Sequence, residues 1–207
     1  GVGGRIRLLK NVMGLWILQE CRRYWRQRGS GADYAELVAL AESSVWEDGL
    51  FDPDDELFYQ PGPMPELIAS YLERCGKAAP HDRGDVVRCV LLSLACKYRY
   101  VLECIEYACG YELPVIHIVG GGSSNALLNQ LTANITGKPV YAGPAEATAL
   151  GNAMVQFIAL EEYGSLDEAR SAVIRSVVLR EFQPENAGKW DDIYQTFMSQ
   201  ASLPSVE

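Results

Sequence analysis

Three consecutive glycines, Gly120, Gly121 and Gly122, end an apolar run from Val115 to Val119 and lead into Ser123, Ser124 and Asn125. Glycine has no Cβ, so the main chain here can turn sharply and a ligand can approach it closely. If a helix opens at this point, its first N–H groups are unpaired and carry a partial positive charge. Such a loop suits a phosphate, or the sugar and base of a nucleotide. Ser123 or Ser124 is the expected helix cap. The same three glycines would also serve close strand–helix packing with no ligand at all. Neither of two familiar phosphate-binding patterns, G-x-G-x-x-G with a downstream ribose-binding acid or G-x-x-x-x-G-K-[ST], is present.

Two further segments carry candidate chemistry. In Gly143–Ala153, the small residues Ala145, Ala149 and Ala153 recur every four positions. One face of a helix there would be flat and could press on a neighbour, with Glu146 in its first turn, where a negative charge is favourable. Near the start of the chain, Asn11 and Gln19 fall in a run that reads as helix. On one helix they would lie about 80° apart around the axis and about 12 Å apart along it. On spacing alone, a helix cap and a solvated glutamine are the favoured reading of this pair. Only two histidines, His81 and His117, occur in the chain, so a histidine-rich metal site and a serine–histidine triad are set aside. None of the six cysteines forms a C-x-x-C pair, and they read as reduced, mostly buried small hydrophobes.

The elements that must position these residues change character at residue 110. A short strand is expected over Arg5–Leu9. Helices follow over Lys10–Gln27 with Asn11 as cap, over Tyr34–Glu42 with Asp33 and Glu36 as a capping box, and from Met64 or Pro65 to Cys75. Between them, Trp46–Pro65 is rich in proline, glycine and acid and reads as an irregular surface segment. A long helix spans about Asp85–Ala108, with Asp82 as cap and Gly110 as stop. Beyond it, Val115–Val119 reads as a strand buried on both faces. A helix over Ser124–Ile135, a strand over Pro139–Ala142 and an alanine-rich helix over Ala145–Glu162 come next. Leu166–Ile174 is helical, Val177–Phe182 extended and Asn186–Ser199 an amphipathic helix. Strand–helix alternation implies an α/β domain.

Composition narrows the partners. At 207 residues and 48% hydrophobic, the chain suits one domain or one large lobe with a real core. A formal net charge of −9 argues against a nucleic-acid or anionic-membrane partner. No apolar stretch approaches the roughly 20 residues needed to span a bilayer, and the chain reads as soluble and cytoplasmic.

Four stretches, taken together, resemble the FGGY family of carbohydrate kinases: Arg7–Gln19; Phe51–Asp55 with Pro61–Pro65; His117–Leu131; and Ala142–Asn152. The likeness runs from residue 5 to about residue 185. It implies a two-lobed ribonuclease H-like, actin-type ATPase fold with sugar and ATP in the cleft between lobes. This chain would be the helix-rich C-terminal nucleotide-binding lobe, with residues 1–207 forming a single lobe and the sugar-binding lobe lying upstream. The first strands of the lobe itself could lie upstream too. The resemblance places ATP against Asn11, Gln19 and Gly121, with Gly120, Gly122 and Asn125 completing the loop. Mg2+ would arrive mainly on the ATP phosphates. The acceptor would be a ketose, L-rhamnulose ahead of fuculose or xylulose, held by the other lobe. No catalytic base is assigned within this chain, which is expected to be inactive alone. The alternatives are a non-catalytic actin-like nucleotide-binding module and a plain interaction domain.

Overall fold

A computed structural model gives the structure, which describes residues 8–201 together with 203, 204 and 206. Arg5–Arg7, most of the expected first strand, lie outside the described residues, and Leu8 and Leu9 are not in a strand.

Helix α1 (Trp16–Gln27) begins six residues later than expected, and Leu15 at its N-cap offers no side-chain cap. The expectation that Asn11 caps this helix is therefore corrected. A long-range bond explains the late start: the Met13 N–H donates to Asp54 Oδ1 at 2.7 Å, committing that backbone group outside a helix. Helix α2 (Tyr34–Ser43) carries the expected capping box, in which Asp33 accepts from the Glu36 N–H and Glu36 accepts in return from Asp33. Helix α3 spans Met64–Arg74. Helix α4 spans Arg83–Cys109, is capped by Asp82 and stops at Gly110 in the left-handed region with φ 75°.

Helix α4 is the axis of the molecule. Helices α2 and α5 (Ala126–Thr136) pack along it, and α1 and α8 (Ala187–Ala201) also touch it. Leu91, Leu92, Leu94, Ala95 and Cys96 of α4 are fully buried, and each buried leucine contributes roughly 1.5–3 kcal/mol. The segment expected to be a surface loop is irregular, but it folds inward. Trp46, Leu50, Phe51 and Phe58 all join the core. Its backbone is satisfied by distant side chains: the Phe51 N–H donates to Ser93 Oγ at 3.1 Å and the Leu50 N–H to Gln200 Oε1 at 2.7 Å.

The sheet has three short strands in the order β1 (Ile116–Ile118), β2 (Val140–Ala142), β3 (Arg180–Phe182). β1 runs parallel to β2, with Ile116 opposite Val140, and β2 runs antiparallel to β3, with Val140 opposite Phe182. The expectation that β1 is buried on both faces is corrected. His117 is exposed and stacks on Tyr141, while Ile116 and Ile118 are half-buried. The reason is positional: β1 is an edge strand, and Ile116 and Ile118 line a cavity. The apolar run reflects a cavity wall on one side, a pattern that local composition cannot separate from a double-sided core.

Helices α6 (Ala147–Ala159) and α7 (Leu166–Ser176) pack on each other at the margin. No residue of α6 is buried, so the small-residue face with Ala149 and Ala153 does not press into a core among the described residues. All six cysteines are free, and Cys21, Cys89 and Cys96 are buried as small hydrophobes. Burial pushes the Cys89 thiol up to about 12, so it stays protonated and inert.

Candidate functional site

The glycine turn is the narrowest feature of the chain, and its geometry follows from its neighbours. Gly120 sits at φ 76°, ψ −162°, a conformation that L side chains rarely adopt, so glycine is required there. A 3-10 turn over Gly121–Ser124 follows directly, and the Ser123 N–H and Oγ–H both donate to the Gly120 carbonyl. The Ser123 carbonyl in turn accepts from Asn129 Nδ2 at 3.0 Å and from an Arg180 guanidinium N–H at 2.6 Å. One buried amide and one strand-borne cation therefore pin the loop from behind.

Gly121 and Gly122 answer to no such demand. A Cβ built on Gly121 would meet nothing within 4 Å, and one on Gly122 would touch only the Ile118 side chain at 3.7 Å. Protein packing does not explain why these two positions carry no side chain. Their N–H groups, at the opening of the 3-10 turn, have no acceptor among the described residues.

Both glycines line a cavity of about 810 Å³. Lys10, Val12 and Leu15 of the segment before α1 line it too, together with Gln19, and its floor is built by Tyr34 and by Tyr98 and Leu102 of α4. Gln19 is exposed, and its side-chain amide makes no hydrogen bond among the described residues. Burial raises the pKa of both floor tyrosines, that of Tyr98 to about 12, so both hydroxyls keep their protons near neutral pH. Among the described residues no aspartate or glutamate lines the cavity. Among the described residues no group of three or more histidines, cysteines, aspartates or glutamates could hold a metal ion.

The other predicted residues fall into two groups. Asn11 is exposed in the non-helical segment, between the cavity-lining Lys10 and Val12, but does not itself line the cavity. Because Asn11 precedes α1, the shared-helix geometry expected for Asn11 and Gln19 does not apply. Gly120 shapes the turn without lining the cavity. Asn125 is almost fully buried and is the cap of α5, in place of the expected Ser123 or Ser124. Its Oδ1 accepts the Leu128 N–H at 3.0 Å and its Nδ2 donates to Tyr34 Oη at 2.8 Å.

Sequence reasoning missed two parts of the site. One is the tyrosine floor. The other is an ionic clamp behind the Lys10–Leu15 wall. Lys97, 3% exposed, lies 2.8 Å from Asp52 and 3.4 Å from Asp54. The Asp54 Oδ2 is placed for charge pairing but not aligned for a hydrogen bond. Asp54 also meets Lys10 at 3.7 Å and takes the Met13 N–H. A lone lysine within an apolar helical run was the available signal, since a buried cation needs a partner.

The structure is thus a helix-rich α/β lobe in which a bare glycine turn and the open amide of Gln19 line one cavity. The model of the FGGY family of carbohydrate kinases, C-terminal domain, matches residues 1–160, and the chain belongs to that family. Among curated relatives, the chain is 41% identical over 197 residues to rhamnulokinase from Bacteroides thetaiotaomicron, covering 95% of this chain and 40% of the relative. It is 37% identical over 206 residues to rhamnulokinase from Enterococcus faecalis, covering 98% of this chain and 41% of the relative. The chain thus spans about two-fifths of the length of the relatives it matches. Among solved structures, Plasmodium falciparum glycerol kinase with ADP superposes with a TM-score of 0.62 at 17% identity, over 93% of this chain and 38% of that one. Xylulose kinase from Rhodospirillum rubrum gives 0.58 at 20% identity, over 90% of this chain and 37% of that one. At those identities the likeness shows the fold, and the expected actin-type C-terminal lobe is borne out.

Proposed function

We propose that this lobe binds ATP in a full-length kinase that transfers the γ-phosphate to a ketose hydroxyl, with L-rhamnulose as acceptor. The single observation that supports nucleotide binding is the bare main chain at Gly121 and Gly122. It lines a cavity of about 810 Å³ together with the unengaged amide of Gln19. Free N–H groups suit phosphate or ribose oxygens, and the glutamine amide suits polar groups of the nucleotide. Asn11, flanked by the cavity-lining Lys10 and Val12, is the second amide we assign to the nucleotide. The choice of acceptor rests on kinship with rhamnulokinases at 33–41% identity.

Phosphoryl transfer depends on aligning donor and acceptor and on neutralising charge at the phosphates. Mg2+ would supply that neutralisation while held mainly by the ATP itself. The sugar site and its base would belong to the other lobe, so this chain alone should bind ATP and transfer nothing. The test compares the 207-residue chain with the full-length protein. Both should bind ADP, and only the full-length protein should form a sugar phosphate from L-rhamnulose. Failure of the full-length protein to phosphorylate any ketose, with ADP binding intact, would leave a non-catalytic nucleotide module as the better reading.

A further inference from the structure

We infer that Tyr34 is a nucleoside-binding residue, held by Asn125 so that its hydroxyl donates a hydrogen bond into the cavity. This rests on the nucleotide reading and deepens it, by assigning a contact to a residue outside every recognisable motif.

The direction of the hydrogen bonds carries the inference. The Leu128 N–H at the start of α5 can only donate, so the Asn125 atom facing it, at 3.0 Å, must be the oxygen. The Asn125 nitrogen is thereby turned toward Tyr34 and must donate to its hydroxyl oxygen at 2.8 Å. A phenol has one proton. With its oxygen accepting from Asn125, that proton must point elsewhere, and no acceptor for it exists among the described residues. Tyr34 lines the cavity, and Asn125 is 2% exposed, so the arrangement is fixed by the fold rather than by solvent. The nucleoside is the fitting recipient. Apart from Lys10 and His117, the cavity lining that Tyr34 shares is uncharged and largely apolar, with Tyr98, Leu102 and Leu128, which suits a base or ribose. Charged phosphates would instead seek the free N–H groups of the glycine turn. Asn125 is thus a positioning residue that acts through Tyr34.

The experiment is a calorimetric titration of the full-length protein with adenosine, which has no charge, and with ADP. Tyr34→Phe should weaken adenosine binding about threefold to tenfold, the range for one neutral hydrogen bond. Asn125→Asp keeps a good helix cap but reverses the bond, because a carboxylate accepts the Tyr34 proton and withdraws it from the cavity. It should weaken adenosine to the same degree, and the double variant should be no weaker than Tyr34→Phe alone. A merely structural role would separate the two variants, since Tyr34→Phe breaks the internal bond and Asn125→Asp retains it. Gln19→Ala distinguishes the two levels of the reading. Adenosine binding lowered by Gln19→Ala but untouched by Tyr34→Phe and Asn125→Asp overturns this inference alone. Binding untouched by all three overturns it together with the nucleotide assignment.

Discussion

Helix α4 and helix α6 are both rich in apolar residues, yet the structure treats them in opposite ways. α4 is buried without interruption from Cys89 to Lys97, enclosed by α2, α5, α1 and α8. α6 buries nothing, and Val155, Phe157 and Leu160 along and just beyond it are 45%, 42% and 71% exposed. The site sits between the two regimes. Its floor and one wall come from the helical core, through Tyr34, Tyr98 and the clamped Lys10–Leu15 segment. The glycine turn belongs to the thin sheet beside α6, and Arg180 and Asn129 hold it. Apolar content therefore predicts burial only where other elements enclose the helix, and the cavity forms where enclosure stops.

Substitutions can break this contrast. Leu92→Ala should remove about 2–5 kcal/mol of stability in urea unfolding, because a fully buried leucine leaves a cavity that cannot collapse. Lys97→Ala should remove about 3 kcal/mol by stranding Asp52 and Asp54 without their buried cation. It should also speed hydrogen exchange at the Met13 amide, since Asp54 loses the charge that holds it in place. Val155→Ala on α6 should stay within about 0.5 kcal/mol of the parent. Equal losses at Leu92 and Val155 would contradict the division between an enclosed and an unenclosed helix.

Local signals were legible where a residue acts on its own neighbourhood. The Asp33–Glu36 box, the Asp82 cap and the left-handed Gly110 all involve groups within a few residues of one another, and each stands as read. The glycine turn was legible because its pattern reports on backbone directly. Asn11 was misread as a cap because the deciding contact, Met13 to Asp54, spans 41 residues. Asn125, rather than Ser123 or Ser124, became the α5 cap because the intervening glycines first wind into a 3-10 turn. Tyr34 had no motif to announce it. Its place in the cavity arises from the packing of α2 on α4, and its proton direction from a hydrogen bond 91 residues away.

The central claim is that the main chain at Gly121 and Gly122 is bare in order to receive a nucleotide. The most direct test is an ADP titration of the uniformly 15N-labelled chain, followed by amide NMR. The amides of Gly121 and Gly122 and the side-chain amide of Gln19 should shift together with one affinity, while Val155 and Leu160 stay fixed. Saturable shifts confined to α6 and α7, or none at the glycine turn in a folded sample, would contradict the account.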